Sequence, residues 1–315
     1  MKAIVIPRFG QALEWKDVPE PQPGPGEVLV RAEAAGVNFA DIMSAAGGYP
    51  GLPKPPVIAG REFAGMNETT GERVMGYTQW GAFAERVAAR PELLWPAPKD
   101  WRATEAAAFP VNYFTAYLAY WKAGLIDRAA GKRVLIHAVA GGVGTAAVEI
   151  GKILGIEMYG TSSSDEKLAR VKELGFQHGI NYKNRDYEQA IQELTGGEGV
   201  DAVFEMLGGE HVEKSVRCLR DFGAVITYGS ATQQKPHLDP RLLYAKCTSV
   251  HGLWLTQLSK KPEMMSRAWK QLSEWANSGR LHPIVGHTLP MSRASEAFQL
   301  LLDRKNFGKV VLTLS

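Results

Sequence analysis

The stretch HAVAGGVG, residues 137–144, follows an apolar run and opens a segment with helical spacing. Its pattern is Ala138-x-x-Gly141-x-x-Gly144, and each glycine has a physical task. Gly141 allows a tight turn. Gly142 removes a side chain where a ligand would approach the backbone. Gly144 lets helix and strand pack closely. The N-terminus of the following helix then offers unpaired N–H groups to a pyrophosphate. The turn Ala140-Gly141-Gly142-Val143-Gly144 therefore reads as a dinucleotide site, against the plainer reading of a turn needed only for packing.

Which dinucleotide depends on the end of the next strand. An NAD site places Asp or Glu there for the ribose 2′-hydroxyl, about 20 residues past the first glycines. Here the strand end is YGTSSSDEK, with no acid at Gly160 or Thr161. Ser162, Ser163, Ser164 and Lys167 offer hydroxyls and a cation instead, which suit a 2′-phosphate. NADPH is the expected cofactor. The same residues have a structural reading: Ser163-x-x-Glu166 has the form of a capping box, and Lys167 fits an exposed helix position.

These residues need a scaffold of alternating strands and helices, and the chain supplies one after Pro110. VNYFTAYLAYWKAG reads as a helix bridging two domains. VLIHAV (134–139) reads as a strand buried on both faces. Val143, Ala146, Ala147, Ile150, Ile153 and Leu154 follow at helical spacing, with Glu149 and Lys152 on the opposite face. IEMYGT, a helix over 165–174, GINY, a helix through Tyr187 and Leu194, and DAVFEML continue the alternation. A helix over 211–220, then AVITYG (224–229) and SVHGLWL (249–255), complete it. Six strands with intervening helices imply a parallel sheet covered on both faces.

Residues 1–108 differ. IVIPR, EVLVRAEAAGV, ERVMGY and AFAERVAAR are short strand-like runs between turns such as PEPQPGPGE. The proline-dense YPGLPKPP, 49–56, is neither regular helix nor central strand. In the last 60 residues, Met264, Met265, Ala268, Trp269, Leu272, Trp275 and Ala276 form an apolar helix face that reads as core. A helix over 293–303 and the strand GKVVLTL follow.

A chain of 315 residues is long for one core and suits two domains. The balance of 36 basic and 33 acidic residues argues against a nucleic-acid surface. Two cysteines, Cys218 and Cys247, do not make a disulfide scaffold. There is no signal-peptide pattern and no apolar run of about 18 residues, so a cytoplasmic protein without a membrane span is expected.

Together GVNFADIMSAAGGYP, GREFAG, ERVMG, FPVNYFTAY, HAVAGGVG and NFGKVVL resemble the medium-chain dehydrogenase/reductase superfamily. Within it they look most like the quinone oxidoreductase branch, which includes zeta-crystallin-like and VAT-1-like proteins. The resemblance covers nearly the whole chain. It implies an α/β fold: a Rossmann doubly wound parallel sheet over 109–255, and a GroES-like β-rich catalytic domain from 1–108 and 256–315. It also implies homodimers. Carried over residue by residue, Ser164, Lys167 and Tyr182 match positions holding the 2′-phosphate. Asn38 and Thr115 match positions near the nicotinamide. Tyr228, Gly229 and Ser230 match a segment near ribose and pyrophosphate, Leu253 and Trp254 one along the nicotinamide, and Asn306 a C-terminal cofactor contact.

Zinc-dependent relatives carry a GHE motif and a nearby Cys. The matching stretch here is Gly60-Arg61-Glu62, and the first 136 residues contain no His and no Cys. Catalytic zinc needs three protein ligands, usually including those types, so no zinc is expected, and Arg61 with Glu62 reads as a structural ion pair. Hydride addition to a quinone or an activated C=C bond needs no Lewis acid, because the charge spreads over the product. Tyr49, in GGYP, is the candidate donor to the substrate oxygen, or alternatively an aromatic lid. Asn38 is the other candidate on this stretch, and Asp41 reads as structural. The expected activity is NADPH-dependent reduction of quinones or α,β-unsaturated carbonyls. Rival readings are a dedicated C=C reductase, a low-turnover NADPH-binding scaffold and an RNA-binding protein. Between EFAG and ERVMG only MNETTG intervenes, where relatives have a longer segment.

Overall fold

The computed structural model describes residues 1–314. The chain forms two compact units: Met1–Asn112 with the segment from Ser259 onward, and Tyr113–Leu258. The first division falls inside the helix Pro110–Lys122 rather than at 108/109.

The discontinuous unit begins with β1 (Lys2–Ile6), β2 (Glu14–Asp17), β3 (Val28–Val37) and β4 (Val57–Ile58). It continues with β5 (Glu62–Asn67), β6 (Arg73–Tyr77), β7 (Arg86–Ala89) and β8 (Leu94–Pro96). The continuous unit supplies β9 (Arg133–Ile136), β10 (Glu157–Ser162), β11 (His178–Asn181), β12 (Val200–Glu205), β13 (Leu219–Thr227) and β14 (Ser249–Gly252). The chain then returns with β15 (Val285–Pro290) and β16 (Lys309–Thr313).

In the discontinuous unit, the main sheet runs β15-β16-β3-β5-β6-β8, with β7 also on β3, and a smaller sheet runs β2-β1-β4. β16 lies antiparallel to β3, with Val310 opposite Val37. The last strand is thus an interior member of a sheet begun by the N-terminal segment. Phe63, Phe83, Val74, Leu289, Phe298 and Leu312 share its core, each burial favouring the fold by about 1.5–3 kcal/mol. The short segment between β5 and β6 is a tight turn: Asn67 Oδ1 accepts the Thr69 N–H at 2.9 Å. The Met and Trp stripe is core here. Met265, Leu272 and Trp275 on the helix Pro262–Asn277 are buried, and Trp269 packs 6.2 Å from Trp95 between ring centroids.

In the continuous unit all six strands are parallel, in the order β11-β10-β9-β12-β13-β14. Counted from β9, this is the three-two-one-four-five-six order of a dinucleotide-binding sheet. Val134, Leu135 and Ile136 of β9 are wholly buried, as their unbroken apolar run requires.

Four local expectations are corrected. β9 stops at Ile136 instead of continuing to Val139, because Ala138 adopts φ of 50° and turns the chain out of the sheet. The helix expected over 211–220 ends at Arg217, and β13 begins at Leu219, which pairs with Val200 before a bulge. β14 ends at Gly252 and the short helix Leu255–Leu258 follows. Glu149 is buried rather than on a solvated face, and its carboxylate accepts the Tyr113 hydroxyl.

Candidate functional site

Because its six strands are parallel, the continuous unit carries the C-terminal ends of all of them along one edge. The order reverses between β9 and β12, where such sheets bind ligands. The glycine turn lies there. Ala140 is buried, while Gly141, Gly142 and Val143 are partly accessible. Gly141 caps the 13-residue helix Gly142–Leu154, whose first N–H groups have no partner within the helix. A Cβ on Gly144 would stand 2.5 Å from both the Ala138 and Val139 carbonyl oxygens. Only glycine permits that approach, as its spacing predicts.

β10 ends at Ser162, and the helix Asp165–Lys172 follows. The cap is Ser164, not Ser163: Ser164 Oγ accepts the Lys167 N–H at 3.3 Å. Lys167 is half-buried, and its ammonium is held below the usual lysine range, first by burial and then by the Arg170 charge. Arg170, three residues on and so on the same helix face, adds a second cation that sequence reading missed. Tyr182 follows β11, and its N–H donates to Ser162 O at 3.1 Å. Tyr228, Gly229 and Ser230 follow β13, with the Tyr228 N–H donating to Glu205 O at 3.0 Å. Leu253 is buried after β14 and donates its N–H to Thr227 O at 2.8 Å, with Trp254 beside it partly accessible.

Glu205, at the end of β12, was also missed. It is wholly buried and accepts the N–H groups of Leu207 at 2.6 Å and Gly208 at 2.8 Å, plus the Thr227 hydroxyl at 3.0 Å. It thereby fixes the loop at that edge against which Ser230 packs: a Cβ on Gly208 would meet Ser230 Oγ at 2.5 Å. The set fits a phosphorylated dinucleotide: helix N-terminal N–H groups without intrahelical partners at a partly accessible glycine turn, then hydroxyls and cations at the end of the neighbouring strand. Thr115 is not at a strand end; it is buried within the helix Pro110–Lys122. Beneath the turn, buried His137 contacts Thr161 Oγ1 at 3.0 Å through Nδ1 and Ser215 Oγ at 3.1 Å through Nε2. Burial pushes this imidazole down to about 3, with His211 and Lys214 adding to the shift.

Asn38, Tyr49 and Asn306 belong to the discontinuous unit. Asn38 caps the helix Phe39–Ala45 and is buried. Its Oδ1 accepts from Lys309 Nζ at 2.7 Å, and its Nδ2 donates to Glu62 Oε1 at 2.8 Å and to Gly36 O at 3.3 Å. Lys309 pairs with Glu62, whose Oε2 accepts the Val111 N–H at 2.7 Å. Both amide hydrogens of Asn38 are thus engaged internally, leaving one lone pair of Oδ1 for anything else. A Cβ on Gly36 would strike Glu62 Oε1 at 2.6 Å and Lys309 Cε at 2.7 Å, so glycine there makes room for the pair.

Arg61 does not pair with Glu62. Its Nε lies 3.4 Å from Asp41 Oδ1. Nη1 donates to Gln79 O at 2.8 Å and Nη2 to Ser44 Oγ at 2.5 Å. Asp41 Oδ2 accepts the Asn38 N–H at 2.8 Å, the structural task expected of it. Burial raises the Asp41 carboxyl to about 6 against the opposing pull of Arg61. The half-buried Tyr49 ring lies over the Arg61 guanidinium, with Cζ 3.8 Å from the ring centroid. Asn306 makes a local turn contact, donating from Nδ2 to Gly308 O at 3.3 Å. Among the described residues, no three His, Cys, Asp or Glu side chains are grouped to hold a metal ion, and no helix is long and apolar enough to cross a membrane.

Comparison with known proteins finds a family match in each unit, the second running past Leu258. Residues 24–99 match the family described as alcohol dehydrogenase GroES-like domain, and residues 142–276 match zinc-binding dehydrogenase. The chain is 32% identical to the human synaptic vesicle membrane protein VAT-1 homolog, over 99% of this chain and 86% of that protein. It is 31% identical to the quinone oxidoreductase-like protein 2 homolog of Nematostella vectensis, over 92% of this chain and 82% of that one. Among solved structures, the quinone oxidoreductase of Thermus thermophilus, determined alone and with NADPH, superposes with a TM-score of 0.90 at 36% identity, covering both chains fully. That of Pseudomonas syringae pv. Tomato gives 0.91 at 28% identity over 99% of each chain. With its GroES-like and Rossmann-type units and relatives matched over almost its whole length, the chain belongs to the quinone oxidoreductase branch of the medium-chain dehydrogenase/reductase superfamily, a family of oxidoreductases.

Proposed function

We propose that this protein is a zinc-independent reductase that uses NADPH to reduce quinones or α,β-unsaturated carbonyls. The observation that carries this reading is Arg61. It occupies the position of the GHE histidine in zinc-dependent relatives, and its guanidinium is committed to Asp41, Ser44 and Gln79. These residues offer no Lewis acid to stabilise an alkoxide, which favours acceptors that delocalise charge.

Ser163, Ser164, Lys167 and Tyr182 would hold the 2′-phosphate, and the 140–144 turn the pyrophosphate. Tyr228, Gly229, Ser230, Leu253 and Trp254 would line the nucleotide path, with Thr115, Asn38 and Asn306 as further contacts. Bound there, NADPH supplies the hydride. The Tyr49 hydroxyl donates a hydrogen bond to the acceptor oxygen and passes on the proton that completes reduction; one hydride and one proton convert a quinone to its hydroquinone or an enone to the saturated carbonyl. The protein would act as a cytoplasmic homodimer on small molecules, without a nucleic-acid partner.

The test is NADPH and NADH oxidation, followed by absorbance, with an ortho-quinone, a para-quinone and a simple enone, in EDTA throughout. EDTA-insensitive NADPH loss supports the proposal and ranks the acceptors. Tight NADPH binding without turnover of any acceptor would favour the scaffold reading.

A further inference from the structure

We propose that Arg61 is a positioning residue that sets the ring of Tyr49, and so fixes where the phenol oxygen meets the substrate. The inference rests on the reading of Tyr49 as the donor. Three segments converge on this one guanidinium. The helix Phe39–Ala45 contributes Asp41, 3.4 Å from Nε, and Ser44, 2.5 Å from Nη2. Ser44 donates its own proton to Ala40 O at 2.7 Å, so its oxygen is free to accept from the arginine. The loop after β6 contributes the Gln79 carbonyl, 2.8 Å from Nη1. The loop after the helix contributes the Tyr49 ring.

Nη1 and Nη2 therefore donate to oxygen atoms, Nε stands in an ion pair with Asp41 without a hydrogen bond, and Cζ lies over the aromatic ring. A planar cation held at its edges is a rigid platform, and arginine stacks on aromatic faces where lysine offers only a point charge. Tyr49 needs such a platform, because residues 46–56 form neither helix nor strand and cannot orient the ring through regular backbone. Packing alone does not explain the choice. Arg61 is 3% exposed, and an apolar side chain would fill the same volume without desolvating a charge.

The experiment compares steady-state kinetics of the full-length protein, with NADPH and a quinone or enone, for Y49F, R61K, R61M/D41N and R61M/D41N/Y49F. Pairing R61M with D41N avoids leaving a buried carboxylate unpartnered; R61K keeps the charge and gives up the planar stack. Far-UV circular dichroism and NADPH affinity establish that each variant is folded. If Arg61 acts through Tyr49, R61M/D41N lowers kcat by roughly 10- to 100-fold, as displacement of a reacting group by about 1 Å does. R61K falls between it and wild type, KM for NADPH holds within about 2-fold, and R61M/D41N has no further effect in the Y49F background. If Y49F is as fast as wild type, the donor reading fails and takes this inference with it. If Y49F is slow but R61M/D41N matches wild type, or slows the Y49F background equally, the inference alone is overturned.

Discussion

Lys309 Nζ donates to Asn38 Oδ1 across 2.7 Å, joining side chains 271 positions apart, and the same ammonium pairs with Glu62. Lys309 is 3% exposed and Glu62 is wholly buried. Removing the lysine alone strands a carboxylate in the core, which typically costs about 3–5 kcal/mol. K309M should lower unfolding stability by that order in urea titrations, and K309M/E62Q should recover most of the loss. A K309M loss below about 1 kcal/mol would mean that the pair does not hold the site.

His137 should make the continuous unit acid-sensitive. The imidazole protonates near 6.5 in an unfolded chain and only near 3 when buried here. Between those values the unfolded chain binds the extra proton, so stability falls as pH falls. The contribution is fully present above about pH 6.5 and is lost progressively toward pH 3. At about 1.4 kcal/mol per pH unit, the loss approaches about 5 kcal/mol. H137Q should flatten this part of the stability profile; parallel curves for wild type and variant would contradict it.

Cofactor choice should reside in Lys167. A charge-assisted hydrogen bond contributes about 1.5–3 kcal/mol. K167A should therefore weaken NADPH binding by about 10- to 100-fold while leaving NADH nearly unchanged, as read by fluorescence titration. Equal weakening of both would locate the lysine away from the 2′-phosphate. S164A is a poorer probe, because it also removes a helix cap worth about 1 kcal/mol.

The glycines of the turn should differ in tolerance. A Cβ on Gly144 meets two backbone carbonyls at 2.5 Å, whereas one on Gly141 meets Ala138 O at 3.2 Å. G144A should abolish dinucleotide binding or soluble expression, and G141A should weaken binding more mildly. Equal affinities by calorimetry would show that the strand–helix approach is looser than its geometry implies.

The continuous unit was legible because its signals are local. VLI and AVFE lie in buried strands, and glycine spacing marks the turn between strand and helix. The charge pairs were not legible. Arg61 and Glu62 are neighbours in sequence, which invited an ion pair, but Arg61 sits at a bend and Glu62 begins β5. Each therefore found a distant partner, Asp41 for one and Lys309 for the other. Glu149 failed for a related reason: a carboxylate at a helix position marks a solvated face only when nothing inside offers a donor, and Tyr113 does. Ser163 and Ser164 are chemically equivalent caps, and only the backbone path, extended at Ser164 just before the helix, selects between them.

The place of β16 inside the main sheet, between β15 and β3, bears on how the protein is made. As the chain leaves the ribosome, the continuous unit emerges whole and can fold as domains do during synthesis. The other unit must wait, with Glu62 and Asn38 lacking their ammonium partner until Lys309 has been translated. The turn proposed to hold the dinucleotide is thus complete before the polar cluster that carries Asn38. Nascent chains stalled before β16 should already capture NADPH while showing no turnover, so synthesis itself orders cofactor binding ahead of catalysis.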